Sequence, residues 1–439
     1  GSEMCIRDRQ EVMCTVFKSP DKVKTIGVLS FNYAAQRLFL NKMANAKYKD
    51  IRIANKYMWK NTHLWILHIL HQLKMSPEEI VAKLFYDYEE LWPIGCDIFH
   101  FFNCINHTPK TSWVLSVESG VPWTIEITRA VEKENVDLSQ IKNNSHIIEC
   151  IKALANPKCL ALLPLCNCSY RIQMEILKQF PAYENVIKAK TYTLHPPQQL
   201  IINDLKEKGL TWDDNEEFIF FYVGKNFYRK GGRESVSVLA NLRKKYNNFR
   251  LVLISALEPD ESRYMRSTND EIQIRKMIAA NADWIDFYQG LPNDQVLRKL
   301  KKAHVCLLPT WMDTYAYSVL ESQACGTPLI TTAQRALNET NSEDVGWLIE
   351  VPVNKLNNPL HYNSELQEKF SSMLLQGLQE KCEYVLTHRQ EVKQKSFACL
   401  ERIRKFHDPR DYAKKLELIY QGKVSELISK EEYFTLCTS

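Results

Sequence analysis

Long apolar runs are scarce in this 439-residue chain. The richest, LWILHILHQL at 64–73, falls well short of the roughly 20 residues a membrane-spanning helix needs and is broken by two histidines. An apolar leader is also missing: the opening GSEMCIRDRQ is polar and reads as an appended stretch, so a cytoplasmic setting is expected. Four N-x-[ST] matches, at Asn106, Asn143, Asn167 and Asn338, carry no weight without a secretory route. No C-x-x-C pair occurs among the 13 cysteines, an odd number scattered from Cys5 to Cys437, which argues against a disulfide framework or a zinc ribbon and for reduced thiols. The isolated Cys166-x-Cys168 pair lacks companion ligands, so no metal site is expected. Runs of five or more basic residues and basic–aromatic repeats are absent too, and a formal net charge of +5 is small for this length; nucleic acid is excluded as a partner. That mild basicity permits a peripheral contact with the inner face of a membrane without arguing for it.

What is present is ordinary globular material, 45% hydrophobic and 25% charged, long enough for two domains with a cleft between them. In the first half, VKTIGVLSF, CDIFHFF (96–102), SWVLSVES (112–119) and KCLALLPL (158–165) are buried-strand candidates, each followed by polar or helical sequence. Between about 190 and 217 the texture changes, with TLHPPQQL and then TWDDNEE, and a linker is expected there. Six further strands follow (EFIFFYVG, FRLVLIS, WIDFYQG, AHVCLLPT, PLITT and GWLIEV), separated by helix-like stretches. From about 364 to 430 the pattern is helical. The expected architecture is α/β: two Rossmann-like, doubly wound domains over 1–200 and 201–405, with closing helices over 406–439 packing back on the first.

Two places carry phosphate chemistry. After EFIFFYVG the chain reads KNFYRKGGRESV, which sets Lys225, Arg229, Lys230 and Gly231-Gly232 at the carboxyl end of a parallel strand and ahead of a helix. Ligands of open α/β sheets bind at that edge, and lysines with glycines before a helix suit a diphosphate as well as they suit a solvated loop. After AHVCLLPT comes PTWMDTYAYSVLESQACGTPLITT, with Asp313 and Glu321 eight positions apart. Ser318 and Glu321 form an S-x-x-E capping box for a helix starting near Val319, so Glu321 has a purely structural reading. The same helix start is a second anion site on the same sheet edge. Acids there repel phosphate, so their functional partners are hydroxyl groups flanking a diphosphate, as a sugar nucleotide supplies.

At these residues the chain resembles the retaining GT-B glycosyltransferases of the family-4 type. DTYAYSVLESQACGTPLI matches their E-x7-E region in frame, VGKNFYRKGG resembles their V-G-R-x-x-x-x-K-G, and FYQGLPNDQVLRKLKKAHVCLLPT resembles the lead-in, over about residues 218–350. The resemblance implies that Lys225, Arg229, Lys230 and Gly231 hold the donor diphosphate, assisted by backbone N–H groups of Tyr315, Ala316, Tyr317 and Ser318. It implies that Asp313 contacts the donor sugar, Glu321 the ribose, and that the base packs near Tyr288 to Leu291, including Gly290. Three positions depart from the pattern: Asp313 for Glu, Ala316 for Gly and Lys225 for Arg, the last losing a bidentate fork while keeping the charge.

The first domain resembles the family in architecture only. Where members carry a histidine in a T-V-H-D-like loop, SWVLSVESG offers Glu118, which can contact a sugar hydroxyl or a transiently positive anomeric carbon, or simply face solvent. In FHFFNCINH, His100 sits in an apolar strand and reads as a core histidine, whereas His107 in a polar loop is an acceptor-site candidate. The family's glycine-rich first loop is replaced by SFNYAAQ, where Asn32 is the other acceptor-site candidate. The absence of any D-x-D weighs against a metal-bridged diphosphate and leaves metal-independent chemistry as the expectation. The implied activity is transfer of a hexosyl unit from a nucleotide-diphosphate sugar, UDP- or GDP-linked, to an acceptor hydroxyl with retention. Asp313, Glu118 and Lys230 are the catalytic candidates, and no cofactor is needed beyond the donor. The alternatives are a non-catalytic sugar-nucleotide binder and a nucleotide-sugar epimerase of the same fold.

Overall fold

The computed structural model describes residues 25–29, 33–43, 46–51, 86–90, 95–258 and 269–429. They form two compact units: Gln198–Asp408, and the described residues of Val12–Pro197 with those of Pro409–Ser439. Asn32 and the apolar run 64–73 lie outside the described residues.

The smaller-numbered unit is built on a parallel sheet of β1 (Thr25–Val28), β2 (Lys47–Asp50), β4 (Ile98–Phe102), β6 (Trp113–Val117) and β7 (Cys159–Pro164), in the order β2-β1-β4-β6-β7. Two short strands, β3 (Asp87–Tyr88) and β5 (Ile105–Asn106), pair separately. Strand β2, KYKD, escapes the sequence reading because it is an edge strand: alternately exposed and half-buried, it carries charge where a central strand carries Val or Ile. The centre of the sheet is aromatic, with Phe99, Phe101 and Trp113 all 0% exposed and meeting edge to face at centroid separations of 5.8 and 5.9 Å.

His100 belongs to this core, as its apolar setting implies. It is 0% exposed, its Nδ1 lies 2.7 Å from the Tyr420 hydroxyl and its Nε2 2.8 Å from Ser116 Oγ. Burial pushes its pKa down to about 3, so the folded ring stays neutral while an unfolded one titrates near its ordinary 6.5. The unfolded chain therefore binds the extra proton, and stability falls as pH drops below 6.5 toward 3, by up to about 1.4 kcal/mol per pH unit from this ring. In His100→Gln this part of the slope disappears, which denaturation midpoints between pH 7 and pH 4.5 measure.

The second unit carries β8 (Phe218–Val223), β9 (Phe249–Ile254), β10 (Ile285–Tyr288), β11 (Val305–Leu308), β12 (Leu329–Thr332) and β13 (Trp347–Ile349), all parallel, in the order β10-β9-β8-β11-β12-β13. All six strands fall within the segments marked by their apolar runs. Successive residues of β8 feed opposite faces: Phe218, Phe220 and Tyr222 pack with Leu239, Phe370 and Leu374, while Phe221 packs with Leu300 and Val319. Helices thus cover both faces, Gly232–Leu242 and Ser364–Thr387 on one, Asn293–Lys301 and Tyr317–Ala324 on the other. Helix Arg389–Phe406 packs on Tyr317–Ala324; helix Pro409–Tyr420 belongs to the first unit and packs there on β7. No helix among the described residues is long and apolar enough to cross a membrane.

Candidate functional site

The order β10-β9-β8-β11-β12-β13 reverses direction between β8 and β11, so the loops leaving those two strands diverge from a shared crevice at the carboxyl edge of the sheet. The loop after β8 holds Lys225, Arg229, Lys230 and Gly231; the loop after β11 holds Asp313, Tyr315 and Ala316. Topology alone therefore brings together the two phosphate-type segments.

The two loops are locked to one another by backbone. Trp311 N–H donates to the Arg229 carbonyl at 2.8 Å, Thr310 Oγ1 donates to the same oxygen at 3.1 Å, and Arg229 Nη1 reaches the Met312 carbonyl at 3.4 Å. Thr332 and Gln334 anchor the far side by donating to the Thr310 carbonyl at 2.8 and 2.7 Å. Trp311 Nε1 donates to the buried Glu234 at 3.3 Å, and Arg233 pairs with both Glu234 (2.6 Å) and Asp270 (2.9 Å), which ties the first turn of the Gly232–Leu242 helix to the same platform. Gly231 makes the approach possible: its φ is +75°, and a Cβ there runs into the Pro309 carbonyl oxygen.

Lys230 Nζ forms an ion pair with Asp313 Oδ2, both side chains being mostly buried (15% and 11% exposed). Burial pushes the Asp313 carboxyl up, but the Lys230 ammonium, with Arg229 beyond it, outweighs that and holds it below the usual carboxylate range. The other oxygen, Oδ1, accepts from Ala316 N–H at 3.1 Å. One acid thus touches both a cation and the helix entry.

The capping-box expectation is corrected here. The helix begins at Tyr317, two residues earlier than Val319, with Ala316 as its N-cap and no side-chain cap; Ser318 lies inside the first turn, where it cannot cap. The helix starts early because Ala316 adopts a left-handed conformation (φ 59°, ψ 71°) that its residue type does not signal. Left-handed backbone costs a non-glycine residue about 1–2 kcal/mol. After allowing for the added freedom of the unfolded chain, Ala316→Gly is expected to stabilise the protein by about 0.5–1 kcal/mol in chemical denaturation.

Of the remaining candidates, Lys225, Tyr317, Ser318 and Glu321 are half-buried at this edge, whereas Tyr315 is 2% exposed with its ring tilted against Tyr317 at 5.3 Å. Tyr288 ends edge strand β10, two strands from β8, and Gly290 lies in the loop after it; the Tyr288 hydroxyl accepts from Lys299 Nζ at 2.9 Å. In the other unit, Glu118 follows β6 at the carboxyl edge of its own sheet. It is held by a reciprocal pair with Asn103: Asn103 Nδ2 donates to Glu118 Oε1 at 3.3 Å and Glu118 N–H donates to Asn103 Oδ1 at 3.2 Å. Asn103 itself has φ 54°, a turn that aims its amide across to β6. His107 is placed away from that pair, with Nε2 2.9 Å from Asp87 Oδ1.

Two parallel sheets, each with helices packed on it and one with a phosphate-type crevice at its switch point, define the GT-B fold class of glycosyltransferases. Residues 206–372 match the family described as Glycosyl transferases group 1, and the crevice just described lies inside the matched span. A glycosyltransferase from Rickettsia africae ESF-5 is similar in structure over 92% of this chain and 99% of its own, with 11% identity and a TM-score of 0.50. Sucrose-phosphate synthase from Thermosynechococcus elongatus is similar over 76% of this chain and 75% of its own (17% identity, TM-score 0.48). Anabaena HepE, solved with UDP-glucose, is similar over 93% and 100% (10% identity, TM-score 0.47). No curated protein matches in sequence. At 11% identity the likeness to the Rickettsia protein speaks to the fold alone; the match over 206–372 supports sugar transfer as the chemistry.

Proposed function

We propose that the protein is a retaining glycosyltransferase that moves a hexosyl unit from a nucleotide-diphosphate sugar to an acceptor hydroxyl. The observation that carries this reading is the meeting, at the β8/β11 switch point, of a lysine, a buried acid and a helix N-terminus. The Lys230–Asp313 pair has the two functions a sugar nucleotide requires. Its cation suits a diphosphate and its anion suits sugar hydroxyls, so a bound donor replaces the internal ion pair with two charge-assisted interactions. Backbone N–H groups of Tyr317 and Ser318, in the first turn of the helix, are assigned to the same phosphate. Lys225 and Arg229 add positive charge from the facing loop. Glu321 is assigned to the nucleotide ribose, Tyr288 and Gly290 to the base, and Glu118, held by Asn103, to a sugar hydroxyl or the transiently positive anomeric carbon. The donor phosphate leaving the anomeric carbon takes up the acceptor's proton, so no further enzymic base is assigned and no metal is invoked.

A thermal-shift series without metal, against UDP, GDP, ADP and their common sugar conjugates, tests the donor site. A ligand at 100 times its dissociation constant adds about 2.7 kcal/mol to stability. Stabilisation by one nucleotide family names the base; stabilisation by none of them sinks the proposal. Proton NMR of the anomeric centre during turnover then reads retention or inversion directly.

A further inference from the structure

We propose that Asp87, His146 and Cys150 form a binding site for a divalent transition metal of the zinc class, in the unit that does not carry the phosphate-type crevice. Asp87 comes from β3, while His146 and Cys150 sit one turn apart on a single face of the Ser145–Ala155 helix. Their ligand atoms all lie within 4.8 Å of one another. His146 Nε2 is 3.5 Å from Asp87 Oδ2 and 3.6 Å from Cys150 Sγ.

The two separations from His146 fit ligands of one ion as well as direct contacts. An imidazole N–H donating to a carboxylate closes to about 2.7–2.9 Å. Ligands of one tetrahedral ion, at about 2.0–2.3 Å from it, stand about 3.3–3.7 Å apart along each edge. Asp87 shows both cases at once. Its Oδ1 has an ordinary hydrogen-bond contact with His107 Nε2 at 2.9 Å, and its Oδ2 stands off from His146 at the tetrahedral edge length. His107 is thus the positioning residue that orients the carboxylate, as outer-shell partners of metal ligands do.

The donor set selects the ion. A thiolate with an imidazole and one carboxylate suits zinc, cobalt or nickel and disfavours magnesium and calcium, which take oxygen ligands. Cys150 is 0% exposed, whereas the His146 side chain is 37% exposed and leaves a solvent-facing side for entry and for a water as fourth ligand. Binding replaces the Cys150 S–H bond with a sulfur–metal bond and releases one proton to solvent. The ion ties the β3–β5 pair to the helix; its role is structural, and it stands or falls independently of the glycosyltransferase reading. The spacing signal in sequence is only H-x3-C, with Asp87 59 positions upstream of His146, which is why a search for C-x-x-C pairs passes over it.

The test uses the purified full chain, dialysed against chelator and titrated with Co2+ and then Zn2+. The expected result is one equivalent bound per chain, a near-ultraviolet thiolate-to-cobalt charge-transfer band, bleaching of that band by Zn2+, and a higher Tm. Cys150→Ser abolishes the band; His146→Ala, at a partly exposed position, leaves the fold intact and weakens uptake; His107→Ala weakens it about 10- to 100-fold. No uptake by the wild-type chain, or a band that survives both Cys150→Ser and His146→Ala, overturns the proposal.

Discussion

Lys230→Ala is expected to lower sugar transfer at least about 100-fold, the scale seen when one preorganised charge-stabilising group is removed from an active site. It is also expected to destabilise the fold. Asp313 is 8% exposed and its carboxyl is held ionised chiefly by Lys230, so losing the cation leaves a buried charge without compensation at a cost of about 2–3 kcal/mol, somewhat below the range for fully buried pairs. The pH dependence has a definite sign. In the wild type the depressed Asp313 pKa contributes stability above the unfolded value of 3.8, and that contribution is lost as pH falls through the folded value. In Lys230→Ala burial prevails, the carboxyl shifts upward, and the variant becomes relatively more stable as pH is lowered. The double variant Lys230→Ala/Asp313→Asn separates the two effects. The Asn carbonyl still accepts from Ala316 N–H in place of Oδ1, no buried charge remains, and stability recovers while transfer does not. Denaturation midpoints alongside initial transfer rates measure both. Recovery of transfer in the double variant would refute the catalytic assignment of the pair.

Gly231→Ala is expected to be as damaging by a different route. The residue has φ +75°, where a side chain alone costs about 1–2 kcal/mol. The added Cβ also meets the backbone carbonyl of Pro309, which cannot rotate aside because Pro309 leads into the Thr310–Met312 turn fixed by Arg229, Thr332 and Gln334. The two loops must separate, and the Lys230–Asp313 contact separates with them. Loss of stability of about 3 kcal/mol or more, with loss of nucleotide binding, is therefore expected from one methyl group. A thermal melt with and without the nucleotide that stabilises the wild type reads both. A variant that keeps wild-type Tm and wild-type nucleotide stabilisation would show that the loops do not depend on this approach.

The legibility of this chain is uneven for physical reasons. The six strands of the Gln198–Asp408 unit stand out because a parallel strand buried on both faces is a continuous apolar run, and FIFFYV or VCLL admits few other readings. Edge strand β2 does not, since KYKD needs to satisfy only one neighbour and keeps its charge. The S-x-x-E pattern at Ser318 and Glu321 is a sound local signal, overridden by the left-handed Ala316 that starts the helix two residues earlier. Lys208 is a further case: it falls in the stretch expected to be a linker, yet it is buried, donates to Thr327 Oγ1 at 2.8 Å and to the Cys325 carbonyl at 3.2 Å, and has its pKa pushed down to about 7 by that burial.

By itself, then, the sequence determined the α/β class and the in-frame placement of Lys225 through Gly231 and Asp313 through Glu321, because apolar period and short motifs are written in neighbouring residues. The tertiary structure decided what those residues do to one another. Lys230 and Asp313 are 83 positions apart, and Asp87 and His146 are 59. Such pairs meet only because strand order and loop register bring them together, and those follow from packing across the whole sheet, a long-range outcome that no local stretch of chain encodes.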